Sequence, residues 1–172
     1  PLSYTSIAGD LQVSPNTVRK YVDTLESLCI IFLVRPFHVN VARAILKEPK
    51  VYFYDSSYVK GGEGLRLENT CAVCLLKHVH YLQDTTGEAL SLNYLRTKDG
   101  KEVDFALCRE DRVETLIEVK LSDGRPSPGL VYFRRHMPAV PAVQLVHNLR
   151  QEESRDGISV SSAGQWLVGL SA

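Results

Sequence analysis

The clearest pattern in the chain is an alternation of apolar and polar positions over Lys101 to Leu121, KEVDFALCREDRVETLIEVKL. Val103, Phe105 and Leu107 alternate with Glu102, Asp104 and Ala106, and Ile117 and Val119 alternate with Glu118 and Lys120, which predicts two strands joined by a charged turn. One face is expected to be core and the other to carry chemistry. A three-residue loop at Glu110-Asp111-Arg112 would set Asp104 directly across from Glu118, because opposed residues of an antiparallel pair share a face. Lys120 would follow two residues along the same face.

Ahead of this hairpin the pattern is helical. Ile7, Ala8 and Leu11 make a short apolar face, Gln12-Val13 a turn, and Ser14-Pro15 a helix start with a capping hydroxyl and a proline at the first position. The helix that follows runs to about Leu28. Val18, Val22, Leu25 and Leu28 are expected to face its core side, with Asn16, Thr17, Arg19, Lys20 and Thr24 outward as a recognition helix presents itself to a groove. Cys29 to Val34 and Val51 to Tyr54 read as strands. Between and beside them Arg35, His38, Arg43, Lys47 and Lys50 form a basic excursion of the kind a wing uses against phosphates, opposed only by Glu48. Residues 1–58 therefore predict a winged helix-turn-helix.

Lys60-Gly61-Gly62-Glu63-Gly64 reads as a flexible joint, after which residues 59–172 predict a second domain. A helix from near Leu65 puts Leu65, Glu68, Ala72, Leu75, Leu76 and Val79 on one side, so Glu68 interrupts an apolar stripe. An inward carboxylate needs a partner, a metal or a lysine; alternatively Glu68 favours the helix dipole from the first turn. Ala89 to Thr97 predicts a strand that turns at Lys98-Asp99-Gly100 into the hairpin, giving a three-strand meander. Beyond it come a crossover helix from about Pro128 to His136, a buried strand at Ala142 to Val146 parallel to the third, a strand at Ile158 to Val160 and a short helix at Trp166 to Leu170.

Composition changes this picture little, but charge narrows it. With 172 residues and 44% hydrophobic content the chain can bury a proper core, and 20 basic against 20 acidic residues leave no overall field to draw it onto nucleic acid. Residues 1–60 carry seven basic and five acidic residues, a thin surplus for tight duplex binding. No apolar run is long enough to span a bilayer, so the expectation is no membrane partner and a cytoplasmic location. The first residue is Pro1 and the single methionine is Met137, from which a fragment of a longer polypeptide is expected. Four cysteines make no disulfide framework. Cys71-x-x-Cys74 with His78 and His80 has zinc-like spacing, against which all four fall on one predicted helix and no second Cys pair follows.

The spacing Asp104, thirteen residues, Glu118-Val119-Lys120 resembles the metal-dependent nuclease superfamily PD-(D/E)xK, and the order helix, meander, crossover helix, strand is that of its core. More widely, SPNTVRKYVDTLESL, KEPKVYFYDSS, LENTCAVCLLKH, NYLRTKDGKEVDFAL, LIEVKLSD and PAVQLVH resemble the C-terminal half of a widespread prokaryotic family of AAA-type ATPases. The resemblance covers essentially the whole chain. It implies an α+β fold with a winged helix-turn-helix followed by a restriction-endonuclease-like domain with a mixed sheet. It also implies an N-terminal ATPase domain of the same polypeptide as partner, and ATP only there, since no G-x-x-x-x-G-K-[ST] occurs in this stretch.

What this implies for the site is a set of residues in roles. Asp104 and Glu118, with Glu68 outermost, would hold Mg²⁺ or Mn²⁺, and Lys120 would orient or deprotonate a water for phosphodiester hydrolysis. Asn16, Thr17, Arg19, Lys20, Arg35, Arg43, Lys47, Arg96 and Lys98 are the candidate DNA contacts, with Arg96 and Lys98 meeting a phosphate or pairing with Glu102. Two other expectations stand beside the endonuclease. One is a retained nuclease scaffold that docks DNA or a partner protein and regulates the ATPase, as an oligomer or not, with Lys120 merely neutralising a carboxylate. The other is a transcription regulator acting through the winged helix.

Overall fold

The computed structural model describes residues 2–38, 48–122 and 125–170. It is a mixed α+β fold in which one eight-stranded sheet runs in the order β2-β1-β3-β4-β5-β6-β8-β7. Helices α1 (Tyr4–Leu11) and α2 (Pro15–Ser27) lead into β1 (Ile31–Pro36) and β2 (Lys50–Phe53). Helix α3 (Glu63–Thr86) precedes β3 (Leu90–Arg96), β4 (Glu102–Arg109) and β5 (Arg112–Lys120). Helix α4 (Pro128–His136) then crosses to β6 (Ala142–Val146), and β7 (Glu153–Arg155), β8 (Ile158–Ser162) and α5 (Ala163–Val168) follow.

Local chemistry explains the helix starts. Ser14 caps α2 by accepting from the Thr17 N–H (3.1 Å), and Pro15 fills the first turn where no N–H is needed. Ser127 caps α4 the same way through Leu130, again with a proline next. Helix α3 ends at Gly87, whose φ of 71° is a left-handed conformation that a side chain would strain.

Two apolar clusters sandwich the sheet. Phe32, Tyr52, Phe105, Ile117, Val119 and Leu145 pack against Leu75 of α3, and Val103, Ala106 and Leu116 pack against Leu130 and Phe133 of α4. The expected division into a core face and a chemical face therefore fails over most of the hairpin, where Ala106 is as buried as Phe105. The cause is the crossover: β5 and β6 pair in parallel, as expected, and a parallel connection lays its helix over the second face. On the hairpin, the acidic groups Glu102, Asp104 and Glu118 lie toward the strand ends. A third cluster of Ala8, Val18, Val22 and Ile31 holds α1 and α2 against β1. Leu25 and Leu28, expected in that core, are exposed, because β1 covers only the Val18–Val22 side of α2.

The hairpin reaches its expected register by another route. Its turn is two residues, Glu110-Asp111 between paired Arg109 and Arg112, instead of three. A bulge between the Leu107 and Cys108 pairs supplies the missing residue, so that Phe105 lies opposite Ile117.

Candidate functional site

Lys50 opens β2, and its side chain points inward to the place where α3 crosses the ends of β4 and β5. Its Nζ lies 2.8 Å from Glu102 Oε1, 3.0 Å from Asp104 Oδ1 and 3.3 Å from Glu68 Oε1. Tyr52, next but one on the strand and hence on the same face, donates its hydroxyl to Glu68 Oε1 at 2.6 Å. One ammonium thus gathers three carboxylates from α3 and β4. Burial alone would lower the Lys50 pKa, but Asp104, Glu68 and Glu102 outweigh it and raise it above the ordinary 10.5. Burial, then the Glu68 charge, pushes the Tyr52 phenol up as well, so it stays a donor.

The β4–β5 ladder stops at Phe105–Ile117, and the Asp104 carboxylate lies where the next rung would be. Its Oδ2 accepts the Val119 N–H at 3.1 Å while Oδ1 faces Lys50. Ile117 and Val119 pack under α3, so Glu118 and Lys120 alternate to the α4 side. Glu118 accepts the Asp104 N–H through Oε2 (3.4 Å) and holds Lys120 Nζ at 2.7 Å through Oε1. Asp104, Glu118 and Lys120 are therefore neighbours joined across a strand edge rather than three groups on one open face. Burial, followed by the nearby Asp104 charge, raises the Glu118 pKa against the pull of Lys120. Lys120 is raised too, its loss of solvent being outweighed by Glu118.

Two cavities flank these groups and share Glu102. One, of about 500 Å³, is lined by Leu2, Tyr52, Phe53 and Leu65 with Lys50, Glu68 and Asp104 at its floor. The other, of about 630 Å³, holds Glu118 and Lys120 beneath Arg125 and Ser127 at the start of α4. Buried Gln144 of β6 positions that loop, accepting the Ser127 N–H (2.8 Å) and donating to the Arg125 carbonyl (2.8 Å).

The carboxylates are hard oxygen donors suited to Mg²⁺ or Mn²⁺. Among the described residues, however, no three His, Cys, Asp or Glu side chains are disposed to hold a metal ion. Lys50 is the reason: its ammonium occupies the point on which Glu68, Glu102 and Asp104 converge. As arranged, the residues do not fit a metal. Cys71 and Cys74 lie on α3 with His78 and His80. Burial pushes the Cys71 thiol up to about 12, which suits a packed side chain and not a thiolate ligand.

The candidate DNA contacts are scattered. Asn16, Arg19 and Lys20 are exposed on α2; Arg19 also lies over the Tyr4 ring at 4.9 Å, and Thr17 is tied to the Ser14 hydroxyl at 2.9 Å. Arg35 is half-buried on β1, Arg96 pairs with Glu102 at 3.7 Å, and Lys98 is exposed. Arg43 and Lys47 lie outside the described residues. Lys50, read from sequence as part of the basic excursion, is instead 9% exposed and turned away from solvent. Sequence reasoning also passed over Tyr52 and gave Glu102 only a minor part. It missed Asn69, which clamps the Phe53 backbone by accepting its N–H (2.8 Å) and donating to its carbonyl (2.9 Å). The period-two spacing of Lys50 and Tyr52 was the available signal for the first two.

The sheet, the helices on its two faces and the lysine-centred carboxylates define a mixed α+β domain with a polar cluster at its strand ends. The chain belongs to the family described as domain of unknown function (DUF4143), whose model matches residues 63–166, and a second model, domain of unknown function (DUF8612), matches residues 1–63. No curated protein and no solved structure matches it. The cluster thus joins two matched regions: Lys50 and Tyr52 fall in the first, and Glu68, Glu102, Asp104 and Glu118 in the second.

Proposed function

We propose that this chain is the nuclease-like C-terminal module of an AAA-type ATPase, working as a docking and regulatory domain for DNA or a partner protein and not as a hydrolase. In this reading residues 1–58 form a winged helix-turn-helix, with α2 as its outward helix. The rest is a PD-(D/E)xK-type scaffold. The observation that carries it is the Lys50 ammonium amid Glu68, Glu102 and Asp104, which neutralises from within the carboxylates a hydrolase would use for its metal. Mg²⁺-dependent cleavage of duplex and single-stranded DNA is the test. No cleavage above that of an Asp104→Ala control is expected, and cleavage that disappears in both Asp104→Ala and Lys120→Ala overturns the reading.

A second reading, an active Mg²⁺-dependent endonuclease, draws on one observation: Asp104, Glu118 and Lys120 do meet, through the Asp104 N–H to Glu118 contact and the 2.7 Å Glu118–Lys120 pair. It requires Lys50 to leave the cluster.

A further inference from the structure

We propose that the outer edge of β2 is a docking site for a short, extended, basic peptide segment of a partner protein, which adds to the sheet beside Val51; this rests on the docking reading and names its partner. β2 is an end strand of the sheet. The Tyr54 N–H bonds the Ile30 carbonyl, and with the β1–β2 register this makes Phe32–Tyr52 and Val34–Lys50 the pairs that exchange backbone bonds. Pro49, Val51 and Phe53 therefore turn their backbone groups outward. Two of these three are occupied. The Pro49 carbonyl accepts the Leu2 N–H at 2.6 Å, and the Asn69 amide takes the N–H and the carbonyl of Phe53, as a neighbouring strand would, at 2.8 and 2.9 Å. Val51, between them, has no such partner among the described residues.

Beside that open rung lies space. The cavity of about 500 Å³ touches Lys50, Val51, Tyr52 and Phe53 in succession, and since alternate residues of a strand point to opposite faces, a space that meets all four lies off the edge. Leu2, Val59 and Leu65 give it apolar walls, and Leu65 is 56% exposed. An extended peptide fits by pairing one residue with Val51, giving one backbone bond and taking one. Charge decides which peptide. The residue opposite Val51 shares the face of Val51, so its two neighbours share the face of Lys50 and Tyr52, where Glu68, Glu102 and Asp104 surround a single ammonium. Arginine or lysine at those two positions complements the acidic excess and lays its aliphatic stem along the apolar wall, whereas the phosphates of DNA are repelled.

Titration of the full chain with the acetylated, amidated peptide TSTRVRST, read by calorimetry and by hydrogen exchange at the Val51 amide, is the test. Binding is expected, with Val51 exchange slowed at least about tenfold at saturation while the β6 amides do not change. N-methylation of the peptide valine removes a backbone donor and keeps the charge; it is expected to weaken binding at least about tenfold, as is replacing both arginines with glutamate. On the protein, Val51→Pro removes an outward N–H, which an end strand tolerates, and is expected to abolish binding, while Leu65→Ser is expected to weaken it about threefold. No binding, an N-methylated peptide that binds as tightly as its parent, or unchanged Val51 exchange overturns the proposal. If Val51→Pro does not fold, the N-methylated peptide and Leu65→Ser decide by the same criteria. Failure of the peptide to bind leaves the docking reading to be judged by DNA binding over a salt series; DNA cleavage by the wild type would end that reading, and the peptide titration would still decide this one.

Discussion

At Lys50 three carboxylates offset a burial that would otherwise drive the proton off, and the sign of that balance sets a pH dependence. A lysine whose pKa is raised by folding contributes stability that is complete below the ordinary 10.5 and is lost as pH rises through the folded value. Lys50→Met leaves Glu68, Glu102 and Asp104 facing one another, and is expected to cost about 3 kcal/mol at neutral pH, at the low end for a broken buried pair. That difference should stay flat from pH 7 to about 10 and shrink above it, as urea unfolding over a pH series will measure. Phe105, fully buried beside Tyr52, is the apolar counterpart. Phe105→Ala is expected to cost about 4 kcal/mol in the same assay, with no such alkaline change.

At the scale of elements, the site depends on how closely α4 approaches β4. A Cβ on Gly129 would lie 2.0 Å from the Glu102 carbonyl oxygen, a backbone atom that cannot step aside. Gly129→Ala must push the helix off the sheet, and a loss of about 3 kcal/mol in chemical denaturation is expected. Because Glu102 is also a Lys50 partner, the same variant should speed hydrogen exchange at β2. The hairpin makes a related point. Alternation along 102–109 and 112–120 showed two paired strands, yet turn length and bulge compensate each other, and only the shift from the Leu107–Thr115 pair to the Cys108–Val113 pair reveals it.

Across the whole molecule, 20 basic residues are matched by 20 acidic ones, so any attraction to DNA must come from local patches. Arg19 and Lys20 are the exposed pair on α2, so the docking reading makes a specific demand. If DNA binds there, the slope of log affinity against log salt should be shallow, and Arg19→Ala with Lys20→Ala should reduce it by about 2. Gel shifts of the full chain over a salt series measure this, and an unchanged slope would move docking to another surface. One sheet spans both family-matched regions, so a change in β2 is carried to the ends of β4 and β5 through direct contacts.

Local order was written in the residues themselves. The cap at Ser14, the meander, the crossover helix from Pro128 to His136 and the strand from Ala142 to Val146 all follow from short-range periodicity and end signals, which depend on neighbours in sequence. The face that each polar residue turns to was decided elsewhere. Helix α4 buries Ala106 on the side expected to be open, and β1 leaves Leu25 and Leu28 in solvent. Lys50, 18 positions from Glu68 and 54 from Asp104, becomes their common partner only when β2 joins the sheet. Charge and spacing alone read Lys50 as a phosphate contact, because the cost of burying its ammonium is met by carboxylates that only the tertiary fold brings within 3.3 Å.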